Sequence, residues 1–387
     1  MKKTSLHGFG LFTDVSHHRD YPAGAIIFQA GDYADKIYVV VKGELRFTLH
    51  GNEVDKLTAG DLFGEMGVVE NRPRNGMVTA VTNCTLILID RLRFAALIRQ
   101  HPGFATRVMA IISMRLHRRT EVELKKRALE RELAIGHKMQ LSLLPQKTPQ
   151  IPGWQFATHY QSAWQVGGDF YDFIPRADNP HELCLVIADV TGKGVPAALY
   201  MAVARTLIRA ETGKSHSPAH VLQRVNELII NDNRSPLFLS ALYAILDTQS
   251  GILRYASAGH DPPLCLRRES GTVDELPAKG YLLGAFRNVA FNEQETALAV
   301  GDVLLLYTDG VSEARDAEGR FFGEERLKTA VAAAGDCSAE EIVGGIVTAV
   351  TDFTGPVAQA DDLTILVAKR VGIATESDTI TLYELFR

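Results

Sequence analysis

Between about residues 21 and 90 the chain alternates short apolar, β-branched runs with single glycines. The runs are AIIFQ, KIYVVV, ELRFTLH, MVTAVT and TLILID, with Gly24, Gly31, Gly43, Gly51 and Gly60 between the earlier ones. Evenly spaced short strands of this kind predict a small barrel or sandwich. Beyond Asp90 the residues become helix formers as far as Pro145, with interruptions expected only at Pro102-Gly103 and at Gly136. Glu121 with Lys125 and Glu123 with Arg127 are i,i+4 pairs suited to an exposed helix. Apolar positions 122, 129, 133, 135 and 139 fit a heptad loosely. A dimerising coiled coil and a helix packed on its own domains both stay open.

The prolines and glycine of PQKTPQIPG then disfavour helix, and from about residue 154 to 370 strands and helices mix. Strand-like ELCLVIAD, SALYAILD, GILRYASAG, DVLLLYTD and LTILVAKR alternate with helix-like segments near 195–211, 217–231, 324–334 and 338–354. The hairpin-like ALYAILDTQSGILRYASAG argues for antiparallel sheet, hence an α+β domain rather than a doubly wound one.

Composition narrows the class without naming a chemistry. With 387 residues, 46% hydrophobic and 22% charged, the chain has room for two or three soluble domains. Its formal net charge of -5 gives no overall electrostatic reason to bind nucleic acid or an anionic membrane. Cys84, Cys184, Cys265 and Cys337 are far apart with no CxxC pair, which indicates neither a disulfide framework nor a zinc site and suits a reducing cytoplasm. No apolar run approaches the roughly 18 residues of a membrane span, and no export signal follows Met1-Lys2-Lys3.

The chemistry gathers in aspartates. Asp169 in VGGDFYDF, Asp189 in IADVTGKG, Asp309 in LLLYTDGVSEA and Asp361 in AQADDLTILV each lie at or beside the end of an apolar run, next to glycine or another acid. One such aspartate is ordinarily a turn former or helix cap. Four of them, if their strands converge, make a concentration of negative charge that divalent cations would compensate, and oxygen-only ligands select magnesium or manganese. The Gly192-Lys193-Gly194 turn lacks the spacing of a nucleotide-binding P-loop. Lys193 suits either phosphate steering or a solvated turn. His260 in AGHDPP suits a turn better than a general acid.

SLLPQKTPQIPGWQF, VGGDFYDF, IADVTGKGVPAALYMA, YASAGHDPPL, LLLYTDGVSEARD, FGEERL and QADDLTILV occur in the order seen in the SpoIIE-type branch of the protein phosphatase 2C-like (PPM) metal-dependent serine/threonine phosphatases. The chain resembles that family over about residues 140 to 370. The resemblance implies a β-sandwich flanked by helices, with two Mn2+ or Mg2+ ions at one end. It implies that Asp189 bridges the ions with the Val190 carbonyl as a backbone ligand. It implies further that Asp309 and Asp361 bind the first ion and that Asp169 serves the second or its waters. Asp362, where the wider superfamily has Asn, would support the ligands, and Gln165 stands where the family often has Glu. The helix VPAALYMAVARTLIRAE would belong to a switch region coupling upstream domains to the metals.

GDLFGEMGVVENRPRNG brings an acid, Glu65, and a base, Arg74, within one short segment. Arg beside glycine N–H groups suits a phosphate and Glu suits a ribose hydroxyl, whereas a surface pair would be worth little. Residues 10–118 resemble the cyclic nucleotide-binding domain of catabolite activator and cyclic-nucleotide-dependent kinase regulatory proteins. The resemblance implies that Glu65 holds the ribose 2′-hydroxyl and Arg74 the cyclic phosphate, with Gly64, Met66 and Gly67 near the ligand backbone. Asn75-Gly76 departs from the family's Ala, Ser or Thr followed by Ala, and leaves cyclic AMP or cyclic GMP, or a pocket that no longer binds either, open.

The expected organisation is therefore a mainly β cyclic nucleotide-binding barrel (10–118), a helical connector (119–145), an α+β PPM phosphatase sandwich (150–370) and a tail (371–387). The expected activity is cytoplasmic, cyclic-nucleotide-regulated phosphoserine/phosphothreonine hydrolysis. By resemblance, its substrate is a phosphorylated anti-sigma-factor antagonist, with a homodimer through the connector as a further expectation. A nucleotide-responsive DNA-binding protein is disfavoured because no helix-turn-helix follows the connector. A non-hydrolysing phosphoprotein scaffold is disfavoured because no main aspartate is missing.

Overall fold

The computed structural model describes residues 17–232, 236–277 and 279–372. Residues 10–16 of the expected first domain and 373–387 of the expected tail lie outside the described residues. The chain divides into two compact units, residues 1–129 and 130–387.

The first unit opens with β1 (His18–Tyr21), β2 (Ile26–Phe28), β3 (Lys36–Lys42), β4 (Glu44–Leu49), β5 (Asn52–Thr58) and β6 (Leu62–Phe63). A short helix α1 (Glu65–Glu70) and strands β7 (Met77–Ala80) and β8 (Cys84–Asp90) follow, then helices α2 (Arg91–Gln100) and α3 (Pro102–Leu143). Two four-stranded antiparallel sheets, β1-β8-β3-β6 and β2-β7-β4-β5, form the barrel. Alternation along β3 sends Tyr38 and Val40 into a core with Phe28, Phe63 and Leu86. It sends Ile37 and Val39 against Phe94, Phe104 and Val108 of α2 and α3. Asp90 caps α2 by accepting from Arg93 N–H at 2.8 Å, and the chain turns at His101 before Pro102 opens α3. The break expected at Pro102-Gly103 thus falls one residue earlier, where proline is tolerated at a helix start. Gly136 does not interrupt α3.

The second unit is a sandwich. One antiparallel sheet runs β10-β11-β12-β13-β16, built from β10 (Phe170–Pro175), β11 (Glu182–Val190), β12 (Leu239–Asp247), β13 (Ile252–Ala258) and β16 (Glu293–Ala297). The other runs β15-β14-β17-β18-β9, built from β15 (Val273–Glu275), β14 (Leu264–Leu266), β17 (Val303–Tyr307), β18 (Leu363–Arg370) and β9 (Trp154–Gln161). Helices α4 (Val195–Thr212) and α5 (Pro218–Asp232) contribute to the core of the first sheet. Helices α7 (Glu324–Ala333) and α8 (Ala339–Thr354) cover the second, and a single turn, α6 (Asp309–Ser312), follows β17. Period-two alternation decides the layering: Leu304 and Leu306 enter the inter-sheet core, while Val303, Leu305 and Tyr307 pack under α7 and α8. The expected antiparallel α+β architecture is the one observed.

Charge also fixes α4 to its sheet. The Asp172 side chain, 1% exposed, takes Arg209 through both carboxylate oxygens at 2.6 and 2.7 Å and lies 3.0 Å from Arg205 Nε. Removing one partner of a buried pair strands the other in low dielectric. Arg205 is 12% exposed and is stranded in this way, whereas Arg209 is 44% exposed and rehydrates, so Asp172→Ala is expected to cost about 1–3 kcal/mol, read as an earlier urea midpoint for the second unit.

Candidate functional site

Register brings the four aspartates to one end of the sandwich. In the β10–β11 pair Phe170 lies opposite Ala188, so Asp169, just before β10, meets Asp189 near the end of β11. In the β17–β18 pair Tyr307 lies opposite Ile365, and Thr308 N–H donates to Thr364 C=O at 3.1 Å. That sets Asp309, the first residue of α6, beside Asp361 and Asp362, which lead into β18. Antiparallel pairing places the start of one strand beside the end of its neighbour, so all these loops emerge on one side.

Asp169 is the most tightly held. It is 1% exposed, and its Oδ2 accepts from the Thr308 hydroxyl at 2.7 Å and the Thr364 hydroxyl at 2.6 Å. The Asp362 carboxylate accepts from three backbone N–H groups of the preceding loop, Ala163 at 2.8 Å, Gly168 at 2.6 Å and Asp169 at 3.3 Å. The glycines of VGGD follow from this crowding. A Cβ on Gly167 would strike the Asp362 carboxylate and the Tyr160 hydroxyl, and one on Gly168 would come within 2.8 Å of the Val190 carbonyl. Gly310 is required in the same way, because a Cβ there would run into the Asp362 carbonyl.

The negative charge at this end is poorly compensated. Burial, then the neighbouring charges of Asp189 and Asp362, raise the Asp169 carboxyl well above the usual range. Burial and then Asp309 push Asp189 up to about 7, and its carboxyl is within hydrogen-bonding reach of Asp169. Burial, followed by Asp361 and Glu313, raises Asp309. Burial, followed by Asp309 and Glu324, pushes Asp261 up to about 6. Lys193 is the cation drawn to this end, donating to Asp361 Oδ2 at 2.9 Å and to the Ala360 carbonyl at 2.6 Å. Among the described residues no three Asp, Glu, His or Cys side chains gather into a ready-made cage for a metal. The donor set is nevertheless all oxygen and unbalanced in charge, which fits hard divalent cations.

His260 lies in the turn just past β13, as its sequence suggests, and it is buried. It is 5% exposed, its Nδ1 lies 2.7 Å from the Ser240 hydroxyl, and burial lowers its pKa to about 4. Ser240 lies opposite Asp189 in the β11–β12 pair, so this neutral imidazole backs the carboxylate end rather than facing solvent. Sequence reasoning missed Thr308, Thr364, Tyr160 and Ser240, whose roles appear only once β17 and β18, β18 and β9, and β11 and β12 are in register.

The first unit holds a cavity of about 710 Å3 whose lining includes Gly64, Glu65, Met66, Gly67, Arg74 and Asn75. That volume is of the size that small-molecule sites occupy. Leu116, Val122 and Glu123 of α3 complete the wall. Glu65 is 1% exposed. Arg74, 5% exposed, donates to the Gly64 carbonyl at 2.6 Å and the Lys36 carbonyl at 2.5 Å, with its guanidinium 4.3 Å from the Phe28 ring centroid. Its Nε is buried without a hydrogen-bond partner among the described residues. Gly64, at φ 78°, must be glycine, since a Cβ there would lie 2.9 Å from Arg74 Nη1.

Comparison with known proteins agrees with this division. Residues 179–371 match the family model described as Stage II sporulation protein E (SpoIIE), and residues 18–101 match that of the cyclic nucleotide-binding domain. The chain is 29% identical over 245 residues to the phosphoserine phosphatase RsbU of Bacillus subtilis, covering 62% of this chain and 71% of that protein. It is 29% identical over 267 residues to protein IcfG of Synechocystis, of which it spans 41%. A 111-residue stretch is 34% identical to the cyclic AMP receptor protein of Thermus thermophilus, covering 27% of this chain and 51% of that protein. Among solved structures, the SiaA-PP2C domain of Pseudomonas aeruginosa superposes with a TM-score of 0.57 at 23% identity, covering 64% of this chain and 98% of that one.

Groups that orient metal ligands from behind typically alter affinity by about 10–100-fold when removed. Asp362→Ala, which frees three backbone N–H groups of the Asp169 loop, is expected to weaken Mn2+ binding within that range. Titration followed by the electron paramagnetic resonance of free Mn2+ measures it.

Proposed function

Because the chain unites a cyclic nucleotide-binding domain with a SpoIIE-type, protein phosphatase 2C-like domain, we propose that it is a metal-dependent phosphoserine/phosphothreonine protein phosphatase controlled by a cyclic nucleotide. The observation that carries the hydrolytic reading is the meeting of Asp169, Asp189, Asp309 and Asp361 at one sandwich end with too little positive charge. Asp189 and the Val190 carbonyl, with Asp309 and Asp361, would hold one Mn2+ or Mg2+, and Asp189 with Asp169 would serve a second. Such ions supply an activated water and neutralise charge on the phosphoryl group under attack.

The chain's own groups set the stage for that chemistry. Thr308 and Thr364 fix one oxygen of Asp169, leaving the other for the centre. Lys193, on the turn that leads from Asp189 into α4, keeps an ammonium at the rim where an anionic substrate arrives. Asp362 holds the loop before β10 in place.

The substrate is a phosphorylated protein of the anti-sigma-factor-antagonist type used in bacterial partner switching. The likeness to RsbU, named a phosphoserine phosphatase, supports this. The ligand of the first unit is cyclic AMP or cyclic GMP, with Glu65 on the ribose hydroxyl and Arg74 on the phosphate. The exposed apolar positions Val122, Leu129, Ile135 and Met139 of α3 suit a homodimer. No helix among the described residues is long and apolar enough to cross a membrane. The nucleotide can shift activity only by binding two arrangements of the protein unequally.

Asp189→Ala is expected to reduce manganese-dependent phosphate release from such a phosphoprotein to background, as is chelation with EDTA in the unsubstituted protein. Persistent binding of the phosphoprotein with no release in manganese would favour the scaffold reading. Glu65→Ala is expected to weaken cyclic nucleotide binding by about 10-fold or more, the loss of one charge-assisted hydrogen bond of about 1.5–3 kcal/mol. Calorimetric titration of the full chain with cyclic AMP and with cyclic GMP measures this.

A further inference from the structure

Gln140 stands apart in α3. The helix surface around it is dominated by exposed side chains, yet Gln140 is 4% exposed. Its amide is used twice on a single residue: Nε2 donates to the Gly167 carbonyl at 2.6 Å, and Oε1 accepts from the Gly167 N–H at 3.0 Å. One side chain thus satisfies both backbone groups of Gly167, as a neighbouring strand would. The same face of the helix touches the loop again one turn earlier, where a Cβ on Gly136 would come 3.8 Å from Val166 Cγ1.

Gly167 is two residues from Asp169. From Ala163 to Asp169 the loop has two sets of anchors. The Asp362 carboxylate takes the N–H groups of Ala163, Gly168 and Asp169, and Gln140 takes both groups of Gly167. Gly167 has no slack between them, being wedged against the Asp362 carboxylate and the Tyr160 hydroxyl. A shift of Gln140 therefore reaches Asp169 through two peptide bonds.

We infer that Gln140 is a positioning residue for the carboxylate end, holding the Gly167 backbone so that Asp169 stays aligned with Asp189. The last turns of α3 are then part of the site's framework. Any rotation or translation that withdraws the Gln140 amide leaves two buried backbone groups unpaired and loosens Asp169. This deepens the proposed metal-dependent function and rests on it. It gives regulation a concrete point of action, one amide and one glycine, without requiring a change in any ligand.

The test uses the full chain and two variants. Gln140→Leu keeps the bulk and removes both bonds. Gln140→Glu keeps the acceptor for Gly167 N–H and loses the donor for its carbonyl. Three quantities are read: Mn2+ affinity by electron paramagnetic resonance, deuterium exchange of the segment 166–170, and kcat against KM on a phosphorylated protein substrate. Gln140→Leu is expected to weaken Mn2+ binding about 10-fold or more, to speed exchange at Gly167, and to lower kcat with little change in KM. Gln140→Glu should fall between, with the Gly167 N–H still protected. Unchanged affinity and unchanged exchange in a folded Gln140→Leu protein would overturn the inference. If Gln140→Leu fails to fold, wild-type Mn2+ affinity in Gln140→Glu overturns it instead. If the unsubstituted protein binds no Mn2+, the metal reading fails, and exchange at Gly167, which needs no metal, still decides whether Gln140 positions the loop.

Discussion

Everything at the sandwich end of the second unit depends on keeping like charges together. Carboxylates repel, and burial in low dielectric makes each charge costlier still, so their approach needs restraint from neutral donors. The protein supplies it with hydroxyls and backbone amides: Thr308 and Thr364 on Asp169, and three N–H groups on Asp362. These bonds stabilise the negative charge without cancelling it. The remaining imbalance is what the proposed hard cations would offset, and Lys193 reaches across to Asp361 at the same end.

That constraint also explains the glycines. Gly167, Gly168 and Gly310 sit where any side chain would collide with Asp362 or Val190, so the loops can close around the carboxylates only without Cβ atoms. The antiparallel register of β10 with β11 and of β17 with β18 then brings separate loops to one place. In the first unit a similar economy operates on a smaller scale. Gly64 makes room for Arg74, whose guanidinium is held against backbone carbonyls at the cavity wall.

Much of this was legible in the sequence because its signals are local. Each aspartate is flagged by a neighbouring glycine or acid at the end of an apolar run, and hairpin spacing argued for the antiparallel sheet that is observed. The supporting groups were not legible. Thr308, just past β17, and Thr364, inside β18, look like ordinary threonines until pairing joins them at Asp169, and Gln140 lies 27 residues from its partner on a different kind of element. Pattern also misjudged Gly136 as a break. A glycine inside a helix costs only about 1 kcal/mol relative to alanine, and here it lies beside Val166, where the helix meets the loop. The burial of His260 beside Ser240 was equally illegible, since it follows from strands that sequence proximity does not reveal.

Whether the four aspartates form a divalent-cation centre is decided by the anomalous scattering of manganese in crystals of the full chain grown with Mn2+. A metal centre there gives anomalous peaks within bonding distance of Asp189 and at least one of Asp309, Asp361 and Asp169, with Lys193 no longer paired to Asp361. Crystals that show no manganese at this end, with the Lys193–Asp361 pair intact, would contradict it.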